Sequence, residues 1–223
     1  MSAITRRLAG ASLVYGLGGI LSRMISLLLL PVLTRYLTPA DYGVIAMLAV
    51  MSNLLLGAVT LGTGNSLGIC FQEGTQTGER GVVVWSTCAI IVSSAALWAL
   101  GGILSSAWIS EILFGSAAYR VPVCLAFGQL AVSAAVIPLL GRWRLEEKAR
   151  PYVAATFSLA LATAVTNIYV VAVRGLGLLG MLWSTFLIQA AYCVVLYAVV
   201  WWQERPGRAR FETKWMSRVV RIG

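Results

Sequence analysis

Arg23 stands inside a long apolar run, between the stretches 17–22 and 24–33. At bilayer depth a full charge costs roughly 2.5–3.5 kcal/mol on insertion scales, so such a residue faces a protein interior or a watery cavity. A guanidinium there offers a fixed charge and planar donors that suit phosphate oxygens; pairing with helix carbonyls or a polar neighbour is the simpler alternative. Four amides also fall within apolar runs: Asn53, Gln129, Asn167 and Gln189. Amides both donate and accept, and these four are candidates to line a polar path, although bonding between helices, at about 0.6–2 kcal/mol each, accounts for most polar groups in such positions.

Other chemistry is poorly provided for. The chain has no histidine and eight acidic residues, none of them at the depth of an apolar run. No intramembrane acid/base pair, metal site or histidine-activated nucleophile can be assembled from this set. Glu146 and Glu147 are paired in sequence, but neighbours on a helix point about 100° apart. Cys70, Cys88, Cys124 and Cys193 are scattered without a CxxC or zinc-ligand spacing, as expected of small buried apolar residues. The expectation is a protein that is not an enzyme and carries no metal or cofactor.

The elements that must position these groups are membrane helices. The chain is 59% hydrophobic and 11% charged over 223 residues, with a mean hydropathy of +0.85, outside the range of soluble domains. A crossing takes roughly 20 helical residues, and six runs qualify: about 10–33, 42–62, 82–104, 119–141, 152–173 and 178–202. They are apolar all round, whereas barrel strands alternate. The fold class is therefore all-α integral membrane, a six-helix bundle over residues 1–202.

Basic residues near span ends stay on the cytoplasmic side. Placing both termini there gathers thirteen of the seventeen Lys and Arg residues on one face, leaving Arg35, Arg120 and Arg174 opposite and Arg23 within the membrane. Topology thus explains the net charge of +9, and no nucleic-acid partner is needed. Arg6-Arg7 opens a run that is too long for a cleaved leader and is followed by further spans. The connection 65–81 reads as an inner loop rich in Gly, Thr and Gln, 105–118 as a semi-apolar interfacial stretch, and 141–151 as a charge-dense inner loop. Residues 203–223 form a basic tail in which Phe211, Trp215, Val219 and Val220 could share one helical face, as at the start of another membrane element.

Thr38-Pro39-Ala40-Asp41 is a helix-start signal. Ser22-Arg23, Pro31, Thr34-Arg35-Tyr36-Leu37 and Thr38 through Gly43 together resemble the opening of the bacterial polysaccharide flippases, the O-antigen and exopolysaccharide exporters of the multidrug/oligosaccharidyl-lipid/polysaccharide superfamily. The resemblance implies a two-lobed transporter of twelve to fourteen helices around a central cavity. Such proteins are similar in moving undecaprenyl-pyrophosphate-linked oligosaccharide across the bacterial inner membrane. On it, this chain is the first lobe of a longer protein and Arg23 faces substrate phosphate, while Asn53, Gln129, Asn167 and Gln189 are the candidates from which a sugar path would be lined. Its partners would be the lipid-linked oligosaccharide, membrane lipids, a second lobe and other glycan-assembly proteins. The alternative is a cation-coupled multidrug exporter of the same superfamily. That chemistry generally uses intramembrane acids, and this stretch offers an arginine instead.

Overall fold

The computed structural model describes residues 20, 21, 24, 25, 27–77 and 79–204. Arg23, most of the first apolar run and the stretch 205–223 lie outside the described residues. The elements in order are the helical residues 27–33 (α1), α2 Pro39–Val59, α3 Thr63–Thr77, α4 Arg80–Leu104, α5 Ser106–Phe114, a 3₁₀ turn Ala117–Tyr119, α6 Arg120–Leu145, α7 Ala149–Ile168, a π-helical segment Tyr169–Val173, and α8 Gly177–Glu204. There is no strand among the described residues.

Among the described residues five stretches are long and apolar enough to cross a membrane: Pro39–Val59, Arg80–Leu104, Ala117–Leu145, Ala149–Val173 and Gly177–Gln203, with mean hydropathies of 1.7 to 2.1. Their outward faces are as apolar as their inward ones. Leu54 and Leu104, for instance, are 76% and 83% exposed, which water would penalise and hydrocarbon would not. Local chemistry sets several ends. α2 begins on Pro39, whose missing N–H costs nothing in a first turn, with Asp41 two residues on. It stops where Leu61 and Gly62 turn left-handed at φ 52° and 65°. The turn is held by the Thr63 hydroxyl, which donates to the Thr60 carbonyl at 2.6 Å.

The stretch 65–81, expected as a loop, is mostly helix, and α3 occupies Thr63–Thr77. Its buried positions Thr63, Ser66, Leu67, Cys70, Phe71 and Gly74 recur at i, i+3, i+4, i+7, i+8 and i+11, the stripe of a helix packed on one side. Four of those six residues, Thr63, Ser66, Cys70 and Gly74, are small or polar, so hydropathy alone conceals the stripe. α3 lies against α4, close enough that a Cβ on Gly74 would meet Val83 Cγ2 at 2.9 Å. α6 and α7 likewise run deep into the charge-dense 141–151 stretch.

Two compact units emerge. Among the described residues, one comprises those up to 38 with 143–188, the other 39–142 with those from 189 on. The second holds α2 through most of α6 and the latter part of α8. Its α6 contributes the buried Val123, Phe127, Leu130, Ala134 and Leu139, and Phe127 lies directly against the backbone of Gly102 on α4. Near the α8 end, Trp85 meets Tyr197 and Trp201 with ring centroids 6.1 and 5.5 Å apart, and the Tyr197 hydroxyl donates to the Ala135 carbonyl of α6 at 3.0 Å. The first unit holds α7, the π segment and the start of α8, joined through Gly175 and Gly177, whose φ values of 63° and 56° need glycine.

Candidate functional site

The polar groups inside the spans are the only chemistry the sequence puts at depth, and the structure treats the four amides differently. Asn167, on the last turn of α7, is 3% exposed. Its Oδ1 accepts from the Ser184 hydroxyl at 2.7 Å and from Thr185 Oγ1 at 3.2 Å, both on α8. The carbonyl oxygen has two lone pairs on which to receive them, and these bonds tie α7 to α8 immediately before the π segment. Wide π turns of this kind commonly occur at functional positions.

Asn53 is exposed on α2 and donates through Nδ2 to the Ala49 carbonyl of its own helix at 2.9 Å. Gln129 is half-buried on α6. Gln189 is half-buried on α8, and its Oε1 is shielded from solvent with no hydrogen-bond partner among the described residues. Asn53, Gln129 and Gln189 belong to the second unit and Asn167 to the first. The fully buried Ser86 of α4 also has a hydroxyl oxygen without a partner among the described residues.

Hydroxyl groups account for most of the remaining polarity, and they bond backward along their own helices. Thr60 donates to Leu56, Thr87 to Val83, Thr156 to Tyr152 and Ser158 to Ala155, at 2.8 to 3.1 Å. This is how a lone hydroxyl is satisfied in hydrocarbon without a partner helix.

Basic side chains stand at several helix ends. Arg142, read from sequence only as one topological charge among many, is 8% exposed. The available signal was helical continuity: Arg142 follows Pro138 by one turn, so α6 runs on past its apolar stretch. Arg144 donates through Nη2 to the Tyr152 hydroxyl at 2.7 Å and lies 5.1 Å from the centre of that ring. Arg80, at the start of α4, stands 5.9 Å over the Phe71 ring of α3. Glu146, paired with Lys148 at 2.7 Å, and Glu147 occupy the turn between α6 and α7.

The four cysteines are free thiols. Across the five apolar stretches the only acidic side chain is Asp41, in the first turn of α2.

Comparison with known proteins places these features. A family model described as "Polysaccharide biosynthesis protein" matches residues 32–223. Among curated proteins no sequence matches. A solved structure, a multidrug/oligosaccharidyl-lipid/polysaccharide (MOP) superfamily transporter from Pyrococcus furiosus, is similar in fold with a TM-score of 0.72 at 13% identity. The similarity covers 95% of this chain and 50% of the transporter, so this chain spans half the length of its structural counterpart.

Proposed function

Because the chain belongs to the polysaccharide biosynthesis protein family and has the fold of half a MOP superfamily transporter, we propose that it forms the first lobe of a bacterial flippase. The cargo is an undecaprenyl-pyrophosphate-linked oligosaccharide, the repeat unit of an O-antigen or exopolysaccharide, carried across the cytoplasmic membrane by alternating access. In two-repeat transporters one bundle rocks against the other around a site near the bilayer midplane. The lobe has six spans, counting the run 10–33, with both termini cytoplasmic; the second lobe supplies the opposing wall.

The observation that carries this reading is the polar inventory of the spans. Amides and hydroxyls are present at depth, acids are absent beyond the first turn of α2, and Arg23 brings a fixed positive charge to the first run. Neutral donors and acceptors suit sugar hydroxyls, and a guanidinium suits a pyrophosphate. A proton- or cation-coupled exporter would call for an intramembrane carboxylate. Arg23 is the phosphate partner, and Asn53, Gln129, Asn167 and Gln189 are the candidates to line the sugar path.

Export of glycan in a strain lacking its own flippase, complemented with the full-length protein, tests the assignment. Arg23→Gln is expected to lower export by roughly tenfold or more, the equivalent of about 1.4 kcal/mol of lost interaction, with Arg23→Lys retaining part of it. Export left intact by Arg23→Ala at normal expression would remove Arg23 from the substrate path.

A further inference from the structure

A groove of about 360 Å3 opens between α4, α5 and α6, lined by Leu97, Trp98, Gly101, Trp108, Ile109 and Phe127. Two adjacent glycines make it. Gly102 allows the Phe127 ring to rest on the α4 backbone, while at Gly101 a Cβ would find no atom within 4 Å, so the missing side chain leaves an opening.

The short helix α5 beside the groove is built inside out. Its serines are buried: Ser106 donates to the Ile103 carbonyl at 2.7 Å and Ser110 to the Ser116 carbonyl at 2.6 Å, both fully covered. Trp108 and Ile112 point outward at 67% and 61% exposure. In water that arrangement would forfeit most of the helix's burial energy; against hydrocarbon it is the favourable one.

A cation stands beside the groove. Arg120 heads α6, where the helix's partial positive end already favours an anion, and its Nε donates to Ser106 Oγ at 3.3 Å. That bond leaves the two terminal nitrogens of the guanidinium available, and no carboxylate pairs with them among the described residues. Arg120 precedes Phe127 by seven residues, two helical turns, which puts it on nearly the same face and roughly 10 Å along the axis.

An apolar groove with a cation beside it, held on Ser106 next to the lining Ser105, is complementary to a lipid chain bearing an anionic head. We propose that this groove retains one membrane phospholipid, with an acyl chain along Trp98, Gly101 and Phe127 and its phosphate on Arg120. The exposed Trp108 ring is an amphipathic aromatic of the kind that settles at the headgroup level. Of the anionic lipids that fit this chemistry, phospholipid is the one the bilayer supplies in bulk to an outward-facing groove. The assignment depends on the chain lying in a membrane and is independent of what the protein transports.

Photolabelling of the full chain in membranes tests it, using a phosphatidylglycerol with a diazirine in mid-chain and mapping adducts by peptide mass spectrometry. Adducts are expected on the segment carrying Trp98 and Trp108. Gly101→Leu, whose Cβ meets no atom within 4 Å and whose branches extend into the groove, should lower them roughly tenfold, a difference of about 1.4 kcal/mol in occupancy. Adducts around Leu161, an exposed residue of α7, should be unchanged and so report an intact fold. Arg120→Gln should reduce groove labelling several-fold, and Arg120→Lys should restore most of it. Labelling insensitive to both Gly101→Leu and Arg120→Gln would overturn the site. Preferential labelling by a photoactivatable polyprenyl phosphate would overturn the choice of occupant.

Discussion

Ser184 donates its hydroxyl proton to Asn167 Oδ1 across 2.7 Å, joining α8 to α7 over a separation of 17 residues. Thr185 reaches the same oxygen at 3.2 Å. Both hydroxyls also lie within bonding distance of the Met181 carbonyl, at 3.0 and 2.8 Å. Each carries one proton, so a bond to Asn167 and a bond to Met181 are alternatives.

That redundancy limits what the contact can cost when it is lost. Ser184→Ala is expected to destabilise the protein by about 0.6 kcal/mol and Asn167→Leu by about 1–2 kcal/mol, because the orphaned hydroxyls fall back on Met181. The two effects should not add, since they share one acceptor. Equilibrium unfolding in mixed detergent measures both; a loss above about 4 kcal/mol for Asn167→Leu would mean that the fallback bonds do not form.

Glu147 occupies a left-handed position, φ 55°, at the end of α6. Lys148 N–H bonds the Trp143 carbonyl at 2.9 Å and Glu147 N–H the Arg144 carbonyl at 3.2 Å, the paired bonds of a Schellman cap whose left-handed residue is usually glycine. Glu147→Gly should therefore stabilise by about 0.5–1 kcal/mol, relief of the left-handed strain outweighing the added freedom of the unfolded chain. Glu147→Val should do the reverse. The same unfolding measurement distinguishes them, and equal stabilities would show that the cap is not strained.

Gly102 and Gly101 give a matched pair on one helix. A methyl at Gly102 would strike the Phe127 ring, whereas at Gly101 it meets nothing within 4 Å. Gly102→Ala is expected to cost about 1–3 kcal/mol through forced repacking, while Gly101→Ala should be neutral or gain up to about 1 kcal/mol from helix propensity. The thermal midpoints of the two variants should move in opposite directions or differ widely.

Tyr197→Phe removes the bond to the Ala135 carbonyl but keeps the ring beside Trp85. A loss of about 0.5–1.5 kcal/mol is expected. Trp201→Leu should cost about the same beyond its area, since it breaks an edge-on contact at 81° between rings. If Tyr197→Phe were silent, packing of the aromatic cluster rather than its anchor to α6 would hold this end of α8.

The helical, membrane-crossing character was readable from sequence because a span needs only length and uniform apolarity, properties that survive without knowledge of neighbours. The TPAD start at Thr38 was readable for a similar reason: proline and a first-turn acid act locally. α3 was not, since its inward stripe of Thr63, Ser66, Leu67, Cys70, Phe71 and Gly74 is set by how closely α4 approaches, a tertiary condition that rewards small side chains over greasy ones. The burial of Arg142 is hidden for the same reason, since it depends on α6 continuing into a charged stretch. Among the candidate site residues, sequence marked Asn167 as polar at depth, but the identity of its partners on α8 followed only from the fold. Arg23 lies outside the described residues, and its role rests on the sequence.

The π-helical segment Tyr169–Val173 closes on a wider ring than the helix before it, with Arg174 N–H reaching the Tyr169 carbonyl at 3.1 Å. A five-residue closure holds one residue more than an α turn of the same span requires. Chain length in this hairpin is therefore unevenly constrained. Deleting one residue within 169–173 would let the wide turn relax to ordinary α geometry and leave everything upstream in phase. Deleting one residue of α7 before Asn167 would swing its amide through about 100°, away from Ser184, so the slack lies just beyond the residue whose orientation it protects.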